Sequence, residues 1–160
     1  MRILISAIGK KRSAPESALI DDYLKRMKPL GRALGIAGVS LVESEAPKGL
    51  TGDALIKREG ELLLKAAPAG APIIALDERG DNLSSESLAS YLSDLRRQNV
   101  SDVAFLIGGA DGHGPEIKDR AIKTISFGSA TWPHMLVRVM LAEQLYRAMT
   151  ILTGHPYHRA

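Results

Sequence analysis

Five short apolar runs constrain this chain more than anything else in it, because they alternate with segments of helical periodicity. Residues 2–8, 39–42, 73–77, 103–107 and 122–127 are rich in isoleucine, valine and leucine and too short for ordinary helices. Between them the apolar residues change period. Ile20, Tyr23, Leu24 and Met27 recur at helical spacing, as do Leu55, Leu62 and Ala66, and then Leu88, Tyr91, Leu92 and Leu95. Turn chemistry agrees with these boundaries. Ser13-Ala14-Pro15-Glu16 is a capped helix start, Thr51 and Ser84 or Ser85 are caps, and Gly31 and Gly35 end or loosen the first helix. Pro115 suits the first turn of a short helix, and Glu78-Arg79-Gly80-Asp81 reads as a turn. Strands alternating with helices predict an α/β fold, a mostly parallel sheet with helices on both faces.

Ligands bind such sheets beyond the carboxyl ends of the strands. Three loops meet that description: those after Leu76, Ile107 and Phe127. The second, Gly108-Gly109-Ala110-Asp111-Gly112-His113-Gly114, lets a backbone approach a ligand closely. It is neither a P-loop nor a dinucleotide fingerprint, because its glycines fall at the wrong offsets. His113 and His134 lack partners at metal spacing and read as surface or structurally hydrogen-bonded residues, so no metal site is expected. Adjacent Asp77 and Glu78 point to opposite faces of an extended segment and do not make a shared acid-base pair. Lys57-Arg58-Glu59 reads as exposed or partly so.

The last fifth is unusual in two ways. After Gly128-Ser129-Ala130-Thr131-Trp132-Pro133-His134, an apolar segment runs over residues 135–152 and covers most of a helix circumference. Arg138, Glu143 and Arg147 interrupt it, which argues against a membrane span. A helix apolar nearly all round is buried on more than one side, and one sheet has limited room for it. A two-fold dimer through this helix is the expectation. The chain then closes on His155-Pro156-Tyr157-His158-Arg159, a titrating ring, a phenol and a guanidinium in one short tail. By composition alone, that tail is a polar terminus.

At 160 residues one domain over 1–160 is expected. The net charge of +3 permits an anionic partner such as RNA without requiring one, and Lys10, Lys11, Arg12, Lys25, Arg26 and Lys28 read as solvated cations or as an extension of an RNA footprint. With no cysteine, disulfides, thiolate zinc sites and cysteine nucleophiles are excluded. The first residues read directly as a strand, with no secretory signal, so a cytoplasmic location is expected.

Several segments in order resemble one family. They are Lys57 with Glu59-Gly60-Glu61, Leu76-Asp77, Ile107-Gly108-Gly109, Thr131 with Pro133-His134, and Leu136-Val137-Arg138-Val139. Ala142-Glu143-Gln144-Leu145-Tyr146-Arg147-Ala148 and His155-Pro156-Tyr157-His158-Arg159 complete the set. The chain is similar over its whole length to the bacterial 23S rRNA pseudouridine N3-methyltransferases (RlmH family) of the SPOUT, or α/β-knot, superfamily. That resemblance implies a C-terminal trefoil knot, a homodimer, and S-adenosylmethionine as cofactor. It puts cofactor contacts at Leu76, Gly108, Phe127, Gly128, Ser129, Ala130, Thr131 and Trp132. It further implies a pseudouridine of 23S rRNA in the ribosome as substrate. The catalytic expectation falls on Tyr157, His158 and Arg159, with Arg138 and His155 as RNA contacts or, for Arg138, a residue ordering the tail. Trp132, Met135 and Ala160 depart from the family's usual residues. Another rRNA or tRNA site, or a non-catalytic nucleotide- or RNA-binding module, are the competing readings.

Overall fold

The computed structural model describes residues 1–10 and 14–159; the expected Ser13 cap, Lys11, Arg12 and Ala160 lie outside them. Among the described residues the order is β1 (Arg2–Ile8), α1 (Pro15–Leu34), β2 (Gly38–Ser44), α2 (Gly52–Ala66), β3 (Ile73–Asn82), α3 (Ser85–Arg97), β4 (Asp102–Ile107), α4 (Pro115–Arg120), β5 (Ala121–Ser126) and α5 (His134–Thr153). The strands form one sheet in the order β2-β1-β4-β3-β5, with every neighbouring pair parallel. The expected α/β class holds.

The sheet is buried on both faces, which is why its strands are continuous apolar runs rather than alternating ones. Along β1, Ile3, Ile5 and Ala7 pack with Met27, Leu34, Leu92, Leu141 and Leu145 on one face. Leu4 and Ile8 pack with Leu63 and Ile117 on the other. Helices α1, α3 and α5 therefore cover one face, and α2 and α4 the other. Local chemistry sets the helix ends. Ser84 caps α3 by accepting the Ser87 N–H at 3.1 Å. Thr51 precedes α2 without a side-chain cap bond. α1 passes through Gly31 and stops at Leu34, where Gly35 closes it.

Helix α5 is largely covered inside its own chain. Leu141, Ala142, Leu145, Ala148 and Met149 are fully buried, at 0% exposure, against α1 and α3. Each large apolar side chain so buried contributes about 1.5–3 kcal/mol. Its most exposed apolar side chains are Leu136 (38% exposed) and, just before the helix, Trp132 (43%), with Val137, Val139, Met140, Ile151 and Leu152 partly buried.

Candidate active site

The carboxyl edge of the sheet carries a feature the strand pattern did not predict. β3 pairs with β5 as far as Leu76↔Ile125, leaves register, and re-enters at Asp81↔Ile125. Residues 77–80 are thus an excursion within one longer strand, where the sequence reading has a strand ending at Asp77 and a turn over 78–81. The excursion lies tightly on β5. A Cβ on Gly80 would fall 2.7 Å from the Ile125 N and C atoms, so only glycine fits. Ser126, buried at the end of β5, fastens the layers. Its hydroxyl accepts the Gly128 N–H at 3.1 Å and donates to the Gly128 carbonyl at 2.9 Å, with the Glu78 carbonyl 3.2 Å away.

Around this edge the three expected strand-end loops enclose a cavity of about 690 Å³. Its walls are Leu76 to Arg79, the loop after β4, and the segment leaving β5. Of the residues expected to hold a cofactor, Leu76, Gly108, Phe127, Gly128, Ala130, Thr131 and Trp132 line it, and Ser129 does not. The Trp132 indole N–H donates to the Phe127 carbonyl at 3.3 Å and closes the segment on itself. An aliphatic residue there cannot make that bond. The volume falls within the ordinary range for a small-molecule site, about 300–1,000 Å³.

His113 stands in the wall and is buried, at 6% exposure. Its Nε2 lies 3.1 Å from the Leu76 carbonyl. A carbonyl only accepts, so this nitrogen carries a proton, and burial favours the neutral ring. Nδ1 has no hydrogen-bond partner among the described residues. Burial pulls the His113 pKa below its ordinary value, with Asp77 opposing. The unfolded chain therefore takes up a proton first as pH falls, and stability rises with pH across that window. We expect wild-type thermal stability to fall between about pH 7 and pH 5.5. Replacing His113 by Gln, which keeps a donor for Leu76, should flatten this part of the profile; an unchanged slope would remove His113 as its cause.

Glu59, expected on an exposed stretch of α2, is instead buried beneath the glycine loop, at 8% exposure. Lys57 and Arg58 are exposed as expected. Arg138 is also placed differently from the RNA contact expected of it. Its side chain is enclosed, ion-paired with Glu43 and bonded to the Ile8 carbonyl. It ties α5 to the ends of β1 and β2 and offers no surface to a phosphate.

The tail is ordered by a ring cluster. Tyr157 folds back so that its hydroxyl meets Glu143 Oε1 at 3.1 Å. Its ring meets Tyr146 edge-on, with centroids 4.7 Å apart. Arg26, expected as a solvated or RNA-binding cation, lies 4.3 Å over the Tyr146 ring and 5.3 Å from Tyr157. Burial, with Tyr23 and Glu143, pushes the Tyr157 phenol well above its usual pKa, so it stays protonated and is no general base. His158 Nε2 lies 2.9 Å from Glu86 Oε1. His155 and Arg159 are exposed, and His155 Nδ1 accepts the Tyr157 N–H at 3.2 Å. None of these tail residues lines the 690 Å³ cavity of its own chain. Tyr157 reaches, through Glu143, the wall of a second cavity of about 440 Å³. The two cavities share Ile125, Ser126 and Phe127. Among the described residues there is no cluster of three or more metal-binding side chains, and no helix is long and apolar enough to cross a membrane.

Residues 1–158 match the family model described as "Predicted SPOUT methyltransferase". The chain is 50% identical over 159 residues to a protein of Paramagnetospirillum magneticum named ribosomal RNA large subunit methyltransferase H, covering 99% of each. It is 52% identical over 159 residues to the protein of that name from Paracoccus denitrificans, again covering 99% of each. The relative from Hyphomonas neptunium is 51% identical over the full length of both chains. Among solved structures, a probable methylase family protein from Haemophilus influenzae matches with a TM-score of 0.51. That match has 15% identity and covers 97% of this chain and 67% of that one, a likeness of fold.

Proposed function

This chain belongs to the SPOUT methyltransferase family, and we propose that it methylates N3 of a pseudouridine in 23S rRNA, using S-adenosylmethionine. The observation that carries the reading is the convergence of the three strand-end loops on one cavity in a chain of this family. The cofactor fits what lines that cavity. Backbone from Gly108 and from residues 127–132 offers close approach, and Asp77, Glu78 and Asp111 supply acceptors for amino and hydroxyl groups. When bound, S-adenosylmethionine supplies an electrophilic methyl carbon on a sulfonium.

The residues of this chain have three tasks. The first is to hold the cofactor, which falls to Leu76, Gly108 and residues 127–132. The second is to accept or orient the N3 proton of the base, because the imide nitrogen is a good nucleophile only once deprotonated; His158 is assigned here. The third is to stabilise the negative charge that spreads to the base oxygens, assigned to Arg159. Tyr157, held protonated, positions the base or the tail. Exposed His155 remains available for RNA, whereas Arg138 acts through structure.

The tail must reach a methyl-donor cavity that it does not line in its own chain. A homodimer in which each tail serves the partner's cavity meets that requirement, with Trp132 and Leu136 at the front of α5 as its apolar contact. The excursion of β3 over β5 is consistent with a C-terminal knot. The deciding experiment offers labelled S-adenosylmethionine to ribosomal subunits, free 23S rRNA and tRNA, and maps the product by mass spectrometry. Label at N3 of a 23S pseudouridine is expected, with ribosomal particles the better substrate. Label in tRNA, or none, overturns the proposal, and a monomer at micromolar concentration overturns the dimer.

A further inference from the structure

We infer that Glu59 is a positioning residue of the cavity: its buried carboxylate receives the Gly109 N–H and fixes the glycine loop between itself and the cofactor. The inference rests on the S-adenosylmethionine reading and assigns a role to a helix that supplies no residue to the cavity wall. Helix α2 underlies the loop at two points and meets α4 at a third. A Cβ on Gly114 would fall 2.9 Å from the Ile56 side chain, and one on Gly60 would lie 3.6 Å from Ile117. Between them, a Cβ on Gly109 would fall 2.6 and 2.7 Å from the two Glu59 carboxylate oxygens. The loop therefore rests directly on the carboxylate, and any side chain at that point of contact must push the carboxylate aside.

The interaction is polar as well as close. The Gly109 backbone hydrogen bond favours the Glu59 anion, while burial and the neighbouring Asp111 charge oppose it. Oε2 has no hydrogen-bond partner among the described residues. A buried carboxylate left half-satisfied carries a cost; holding the loop at a set height is the return for it. The loop itself is narrow, closed by the Gly112 N–H on the Gly109 carbonyl at 3.1 Å. Its opposite side lines the cavity from Gly108 to His113. A shift at Gly109 is thereby passed to the cofactor contacts and not to the tail, which is held by α1, α3 and α5.

Calorimetry with S-adenosylmethionine, together with methyl transfer at varied cofactor and varied ribosomal substrate, tests this. Glu59→Ala removes the acceptor and should raise the cofactor Kd and KM about 10-fold, with kcat at saturating cofactor and KM for the ribosomal substrate within about 2-fold. Glu59→Gln keeps an acceptor and should stay within about 3-fold of wild type. Gly109→Ala should weaken cofactor binding strongly, and adding Glu59→Ala should recover part of the loss, a non-additive pair. Wild-type affinity in Glu59→Ala, losses shared equally between cofactor and RNA constants, or a Gln variant as poor as Ala would each overturn the inference. Should Glu59→Ala not fold, unchanged affinity in Gly109→Ala overturns it equally. A wild-type chain with no affinity for S-adenosylmethionine overturns the proposed function and this inference together, whereas normal wild-type binding confines any failure to Glu59.

Discussion

Removing residues 157–160 is expected to lower methyl transfer by more than about 100-fold while leaving S-adenosylmethionine affinity within about 2-fold. The separation follows from where the parts lie. Leu76, Gly108 and the loop after β5 line the cavity without help from the tail. Tyr157, His158 and Arg159 carry the groups that can move a proton and meet a developing anion. Tyr157 also contributes its bond to Glu143 and its edge contact with Tyr146, so some loss of stability accompanies the truncation. Two single variants separate chemistry from anchoring. His158→Ala and Arg159→Ala should each lower kcat; neither belongs to the ring cluster around Arg26, and Glu86→Ala, which removes the His158 contact on α3, is the control for anchoring. Labelled methyl incorporation at saturating cofactor, read beside calorimetry, is the measurement. Normal turnover in the truncated chain would remove the tail from the mechanism. A cofactor affinity that collapses with it would mean the tail builds the cofactor site instead.

Much of this arrangement was legible in the sequence, and the parts that were not have identifiable physical reasons. Strand and helix alternation gave the sheet, and the rule for ligands at strand carboxyl ends picked the three loops that line the cavity. The excursion at 77–80 was not legible. Its polar residues have the composition of a turn, and the return to pairing at Asp81 depends on a distant strand. Glu59 was read by charge when its position spoke otherwise. It falls on the stripe of Leu55, Leu62 and Ala66, at the edge of the face where α2 buries Gly60 and Leu63. Arg26 was read as a solvated cation because nothing local announces Tyr146, a partner brought to it by packing of α1 on α5. The over-apolar α5 pointed to a partner subunit, yet most of that surface is covered by α1 and α3. Periodicity states that a face is buried and is silent on what buries it.

Arg138 shows the same limit most sharply, and it carries the largest expected effect on stability. A cation in an apolar helix invites an RNA reading. Its spacing places it instead with Met135, Ala142, Leu145 and Met149 on the buried stripe of α5. Its guanidinium holds Glu43 at the end of β2 and the Ile8 carbonyl at the end of β1. Burial opposes its charge and Glu43 supports it. Arg138→Met should cost about 3–5 kcal/mol, because Glu43 and the Ile8 carbonyl lose their partner while remaining partly enclosed. For a chain of this size that is a fall of roughly 10 °C in Tm. Adding Glu43→Gln to the variant should recover part of the loss, since the stranded charge is what makes it large. A phosphate contact predicts a different set of results. Tm would hold, affinity for ribosomal particles would drop, and the salt dependence of that affinity would become shallower. Thermal unfolding and a salt titration of both variants therefore decide between a brace inside the fold and a contact with RNA.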